Sequence, residues 1–218
     1  SNLSAKKATF INSIIQNTIL DGISAENCDI DAYNSLFANA GGSVVKVIGG
    51  RYSFLHCTLA NYMSYRGMKR GVTLIMGNKQ GENLLPLIQC EFRNSIIAGS
   101  NAQEISLQSA EGNILPLDYA LEYCLIKATG SDDIKEGEPG ILRNNIWIKS
   151  ANNNTGVPIF KDSEAANKDK ILDYYYDFRL DSASLAIDQA YRPYSEPLPY
   201  DILGRPRLSG NSPDMGCY

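Results

Sequence analysis

The sequence predicts an all-β fold: a single-stranded, right-handed parallel β-helix of about 22 residues per rung over residues 1–150, and an irregular C-terminal capping segment over 151–218 packed on it as one structural domain. Three observations predict it. A six-residue motif recurs at near-fixed intervals, the intervening residues are strand formers punctuated by Gly and Asn, and the repeat stops abruptly near residue 150.

The motif reads NSIIQN from Asn12, NSLFAN from Asn34 and HCTLAN from His56, then NSIIAG from Asn94, YCLIKA from Tyr123 and NNIWIK from Asn144. Successive intervals are 22, 22, 38, 29 and 21 residues. A repeat of this length marks units that cannot bury an apolar face alone and stack on their neighbours. Richness in Ile, Val, Phe, Tyr and Thr makes the units strands rather than helices. Short apolar runs ending in turns, Val44–Ile48 before GG and Val72–Met76 before GN, give three strands of about five residues per rung. The leucine-rich-repeat spacing is missing.

Residue parity places the core. Two positions before each motif stand Phe10, Ala32, Phe54, Phe92, Leu121 and Leu142; three positions after its first residue stand Ile15, Phe37, Leu59, Ile97, Ile126 and Trp147. Both columns, and the Ser/Cys column between them, face inward only if the chain bends at the motif residue. Asn tolerates the left-handed conformation such a corner needs. Asn12, Asn34, Asn94 and Asn144 therefore read as a stacked corner ladder, and Asn17, Asn39 and Asn61 as a second ladder at the strand ends. Regular spacing favours structural ladders over ligand binding here. The column between the inward ones, Ile14, Leu36, Thr58, Ile96, Leu125 and Ile146, then faces outward as an apolar ridge, to be covered by the tail or by a partner chain.

The two long rungs carry an echo, GENLLPL from Gly81 and EGNILPL from Glu111. Arg93, Glu122 and Arg143 share one outward position, a surface charge ladder. Nothing resembling a cap precedes Phe10, so the first rung is expected to offer an open strand edge, to a second copy or to rungs before residue 1.

Bulk properties exclude several functions. A net charge of −4 argues against a nucleic-acid partner, which demands a basic face. No apolar run approaches a spanning helix. Five Cys without CxxC spacing and a single His give no zinc site, so the thiols read as small buried hydrophobes; Cys57 and Cys124 lie two rungs apart, too far for a bridge. No cofactor is called for. The acidic stretch 131–138 is the calcium candidate, but lacks the alternating Asp/Asn spacing of a calcium loop.

After residue 150 the composition changes: six of nine prolines and seven of thirteen tyrosines fall within 157–218. DFRLDSASLAIDQA from Asp177, DILGRPR from Asp201 and PDMGCY ending at Tyr218 resemble the ending that closes right-handed parallel β-helix domains of bacterial surface proteins, many from Bacteroidetes; VPIF at Val157 resembles the stretch preceding it. Leu185, Gln189–Ala190 and Cys217 depart from that pattern. The resemblance implies an extracellular, cell-surface or periplasmic protein, distantly similar to polysaccharide-lyase-type β-helices. The matching Asp188, Asp201, Arg205, Arg207 and Asp214 read as charge pairs pinning an irregular cap, with a glycosidase acid cluster as the other reading.

Candidate chemistry is sparse. Tyr62, Tyr65, Arg66, Lys69 and Arg70 in the long interval combine aromatic and basic character suited to an acidic sugar. His56, at a corner that is Asn in neighbouring rungs, with Lys69 and Arg70, are the catalytic candidates. The expectation is a secreted or surface β-helix domain presenting a glycan- or partner-binding surface, non-catalytic as it stands. The alternative is a polysaccharide lyase or glycoside hydrolase acting on acidic glycans from the loops.

Overall fold

A computed structural model describes residues 7–63, 71–111, 115–128, 140–148, 157–163 and 176–218. Among the described residues the chain is nearly all β, built on parallel sheets, and the one helix has four residues.

The strands follow the repeat: β1 (Lys7–Ile11), β2 (Ile14–Thr18), β3 (Ile23–Tyr33), β4 (Leu36–Ala40), β5 (Val45–Leu55), β6 (Thr58–Asn61), then β7 (Leu74–Gly77) and the short antiparallel pair β8 (Lys79–Gln80) and β9 (Asn83–Leu84). Beyond these come β10 (Leu87–Arg93), β11 (Ile96–Gly99), β12 (Ile105–Gln108), β13 (Tyr119–Glu122), β14 (Leu125–Lys127), β15 (Gly140–Arg143) and β16 (Ile146–Ile148). An eight-stranded sheet runs β1-β3-β5-β10-β13-β15, with β7 on β5 and β12 on β7, and a six-stranded sheet runs β2-β4-β6-β11-β14-β16. Every pairing within these two sheets is parallel and joins equivalent motif positions, such as Phe54 with Ala32 and Phe92, or Leu59 with Phe37 and Ile97.

The three short strands expected per rung are not separate throughout. In β3 and β5 the third strand of one repeat runs straight into the first of the next, with left-handed bends at Asn27 (φ 51°) and at Gly49 and Gly50 (φ 61° and 91°). The strands thus form several sheets rather than one uniform set of rungs. The two long intervals also carry an added parallel pair, β7 with β12, and the β8–β9 hairpin. The echoed segments meet at their ends: Leu87 bridges Leu117, the last residues of the two copies.

The corner expectation holds residue by residue. Asn12, Asn34, His56, Asn94, Tyr123 and Asn144 all have φ between 48° and 53°. Both inward columns line one core, where Phe37, Phe54, Phe92, Leu59, Ile97, Leu121 and Ile126 are fully buried. Phe54 and Phe92 stack with centroids 4.5 Å apart, and Phe37 meets Phe54 edge-on. Burying one such side chain stabilises by about 1.5–3 kcal/mol. Cys57 and Cys124 occupy this core as free thiols, each donating to the carbonyl of the preceding rung, Ala32 and Phe92. Cys90 and Cys217 are buried and free as well, and Cys28 is half-buried.

The C-terminal segment contributes the antiparallel pair β17 (Phe160–Asp162) and β18 (Asp177–Leu180), then irregular chain and the helix α1 (Arg192–Ser195). It lies along the outer face of the six-stranded sheet. Phe160, Phe178, Ala186, Ala190, Met215 and Cys217 form a second core with Leu36, Ile96 and Leu125. The predicted apolar ridge is thus covered by the tail over its middle rungs, while Ile14 at the first rung is 54% exposed.

Candidate ligand cavity in the C-terminal segment

The corner ladder turns out to be the tail's docking strip. Asn34 donates to Asn12 Oδ1 at 2.7 Å, the one amide-to-amide bond of the ladder among the described residues, and also to the Tyr200 carbonyl. Its own oxygen accepts from Arg207 Nη2 at 2.6 Å. Asn94 grips Tyr191 from both sides, accepting from its N–H at 2.8 Å and donating to its carbonyl at 3.0 Å. Tyr123 stacks on Tyr191 with centroids 4.5 Å apart, and Tyr194 meets both rings edge-on. In the second ladder the bonds run to neighbouring backbone instead: Asn39 accepts from Tyr62 N–H and Asn61 from Ala40 N–H. Asn61 does not take the left-handed conformation of Asn17 and Asn39.

His56 is fully buried in this strip. Nδ1 lies 3.1 Å from the Gly216 carbonyl, which can only accept, so Nδ1 carries the proton. Nε2 then accepts from Ser195 Oγ at 2.7 Å, with Asn94 Nδ2 at 3.1 Å. The Ser–His contact has the spacing of a nucleophile and base, but both side chains are buried completely and no carboxylate orients the ring. Burial, and then the nearby Arg207 cation, hold the imidazole well below its ordinary pKa. This is a neutral latch between the third rung and the tail.

Tyr62, a candidate ligand contact, packs edge-on against Phe160, and its carbonyl accepts from Tyr176 OH. Tyr65, Arg66, Lys69, Arg70 and the acidic stretch 131–138 lie outside the described residues. The Arg93–Glu122–Arg143 ladder forms as expected, but around a buried carboxylate: Arg93 Nε bonds Glu122 at 3.0 Å, Arg143 at 3.2 Å, and Tyr194 OH donates to it. A buried Glu104, unmarked by any motif, accepts from Thr73 and Asn101 backbone N–H and from Thr73 Oγ1, and burial raises its pKa.

The five charged residues of the C-terminal ending converge. Asp188, Asp201, Arg205, Arg207 and Asp214 line one cavity of about 290 Å³, with Ser209, Ser212 and Tyr218. Local chain chemistry builds it. Asp201 opens a tight turn, its Oδ1 accepting from Leu203 and Arg205 N–H at 2.8 Å, with Gly204 at φ 77° closing the turn. Arg205 Nε bonds Asp201 Oδ2 at 2.5 Å, so this carboxylate is fully committed. Arg207 points the other way, donating to Asn34, Gly216 and Cys217, and is 7% exposed. The Asp201–Arg205 pair is of the kind the charge-pair reading expects, whereas Arg207 fastens the tail through an amide and backbone carbonyls.

Asp188 and Asp214 are different. Backbone bonds from Met215 to Ala186 and from Ala190 to Pro213 set the two segments side by side, and Asp188 N–H donates to Asp214 Oδ1 at 2.8 Å. Burial raises the pKa of Asp214; the Asp188 N–H bond and the Arg207 and Arg205 charges oppose this, while the Asp188 charge adds to it. The Asp188 carboxylate is exposed and has no hydrogen bond or ion pair among the described residues. Such a pair can accept hydroxyl or ammonium protons from a ligand. Among the described residues no group of three or more His, Cys, Asp or Glu side chains is arranged to hold a metal, and no helix is long and apolar enough to cross a membrane.

Comparison with known protein families, curated proteins and solved structures finds no match to this chain.

Proposed function

We propose that this chain is a right-handed parallel β-helix domain of a secreted or surface-attached bacterial protein, and that it binds a glycan, without turning it over, in the cavity of its C-terminal segment. The single observation that carries the reading is that cavity: about 290 Å³, lined by Asp188, Asp214, Ser209, Ser212 and Tyr218. Carboxylates, hydroxyls and one aromatic ring are the groups that grip a sugar's hydroxyls and its apolar face. The register of the two large sheets and the left-handed corners support the helical winding. The secreted setting rests on the C-terminal resemblance.

A second reading, glycoside hydrolysis, is favoured by the Asp188–Asp214 pair. Two carboxyls in one cleft, one with its pKa raised by burial, suit a general acid and its partner. Binding is preferred because the third carboxylate, Asp201, is consumed by Arg205 and the turn.

The test is a glycan-binding titration of the intact protein followed by NMR, together with reducing-end release from the glycan that binds. Saturable shifts with no released ends support the binding reading. Release lost in Asp214→Asn would establish hydrolysis, and the absence of any binding would refute both.

A further inference from the structure

We propose that the first rung is a self-association surface: two copies of the chain meet end to end, β1 against β1, and close a twofold dimer about Thr9.

The strand edges lead there. β1 and β2 are the terminal strands of the two large sheets, and no strand lies beyond either among the described residues. The core is open at the same end. Ala8 and Phe10 belong to inward columns whose next members, Ile30 and Ala32, are buried, yet Ala8 is exposed and Phe10 only half-buried. Outside, Ile11, Ile14, Ile19 and Leu20 are exposed, the last two at 76% and 77%. Among the described residues, four of the eleven large exposed hydrophobics thus fall within ten residues of one rung. Exposed strand edges are usually guarded by charge, proline or a bulge. Residues 8–20 contain no charged side chain and no proline, and β1 keeps an unbroken register with β3. Lys7, at the start of the edge, is turned back to Asp29 and Asp31 of the second rung at 3.3 and 2.8 Å.

The edge is complementary to itself, which makes a second copy its occupant. A neutral edge meets its own copy without charge repulsion, and a twofold contact between identical edges is antiparallel and closed. Asn12 N–H donates to the Tyr33 carbonyl, so alternation along β1 turns the N–H and C=O groups of Lys7, Thr9 and Ile11 to the open side. Centred on Thr9, the strand exchanges both bonds with the partner's Thr9, and Thr–Thr is a favourable cross-strand pair. The same register sets Phe10 against the partner's Ala8, a large ring beside a small side chain. The edge-on contacts from Phe54 through Phe37 to Phe10 then continue toward the partner's core. Lys7 falls opposite the partner's Ile11 rather than its own copy, so no like charges face one another.

Sedimentation equilibrium of the full chain, loaded from about 1 to 100 μM, should fit a monomer–dimer equilibrium with nothing larger. Thr9→Lys changes an exposed side chain, places like charges opposite each other at the axis, and should weaken the dimer at least tenfold with the far-ultraviolet circular dichroism unchanged. Thr9→Pro deletes an N–H that faces only the partner, as an edge strand tolerates, and should weaken it likewise. Ser53→Lys makes the same change in the same column two rungs further in, and should leave the dimer intact. A monomer at every loading overturns the proposal, as do assemblies that grow beyond two copies, which head-to-tail stacking would give. A dimer that Thr9→Lys and Thr9→Pro leave unchanged, or that Ser53→Lys weakens as much as Thr9→Lys does, also overturns it.

Discussion

Mild acid should loosen the tail through one residue. His56 is the only histidine in the chain, is fully buried, and is neutral, with Nδ1–H on Gly216 and Nε2 accepting from Ser195. Its folded pKa is depressed, so the unfolded chain takes up the proton first. The contribution is fully present above the unfolded value of about 6.5 and is lost as pH falls below it. If the folded state takes no proton in this range, linkage gives a loss of about 1.4 kcal/mol between pH 7.5 and pH 5.5. Asp214 and Glu104 have raised pKa values and contribute slopes of the opposite sign, so they cannot produce this loss.

Urea unfolding followed by fluorescence of the single tryptophan, Trp147, should show the midpoint falling by about 0.5 M over that range, at an m value of about 2–3 kcal/mol/M. The control is His56→Asn, which restores the residue other corners use and suits φ 51°. It removes the bonds to Ser195 and Gly216 and should cost about 1–3 kcal/mol at pH 7.5, yet flatten the pH dependence. A wild-type slope matching that of His56→Asn would refute the latch.

Two further outcomes follow from packing. Gly216→Ala should destabilise by about 2 kcal/mol or more in thermal unfolding, because φ is 87° and a β-carbon would lie 2.7 Å from Thr58 Oγ1 and 2.9 Å from Ile96 Cδ1; an unchanged Tm would contradict the close docking of the tail. Cys57, Cys90, Cys124 and Cys217 should resist alkylation at pH 8 in the native state and react on unfolding, since burial raises all four thiols, Cys124 and Cys217 to about 12; rapid native labelling of Cys57 or Cys124 would contradict their inward placement.

The repeat was legible because its signals are local. A left-handed corner selects Asn at the corner itself, and strand pleating sorts Phe37 from Leu36 by parity alone. The merging of strands in β3 and β5 was not legible, because whether a bend interrupts a ladder depends on the neighbouring rung rather than on the bent residues. Glu104 and Ser195 were invisible for a related reason: their partners stand 31 and 139 residues away, at Thr73 and His56. The cavity was half legible. The ending supplied Asp188, Asp201, Arg205, Arg207 and Asp214, but only the folded tail separates the ion pair Asp201–Arg205 from the adjacent Asp188 and Asp214, which form no ion pair among the described residues.

The deviations from the repeat carried more than the repeat did. At the corner, Asn is the cheap choice, and both departures from it, His56 and Tyr123, occur where the tail lands. A bulky aromatic held at φ 53° costs on the order of 1 kcal/mol or more, so Tyr123 persists through what it gains elsewhere. That gain is its stack on Tyr191, just as His56 is compensated by Ser195 and Gly216. Between them Asn94 holds Tyr191, and two rungs before it Asn34 holds Arg207. The corner ladder is therefore two things at once: a structural column at the exposed end residues Asn12 and Asn144, and a receptor for the tail between them. Because Arg207 lines the cavity and is fastened to Asn34, the cavity wall is coupled to that ladder through a buried guanidinium.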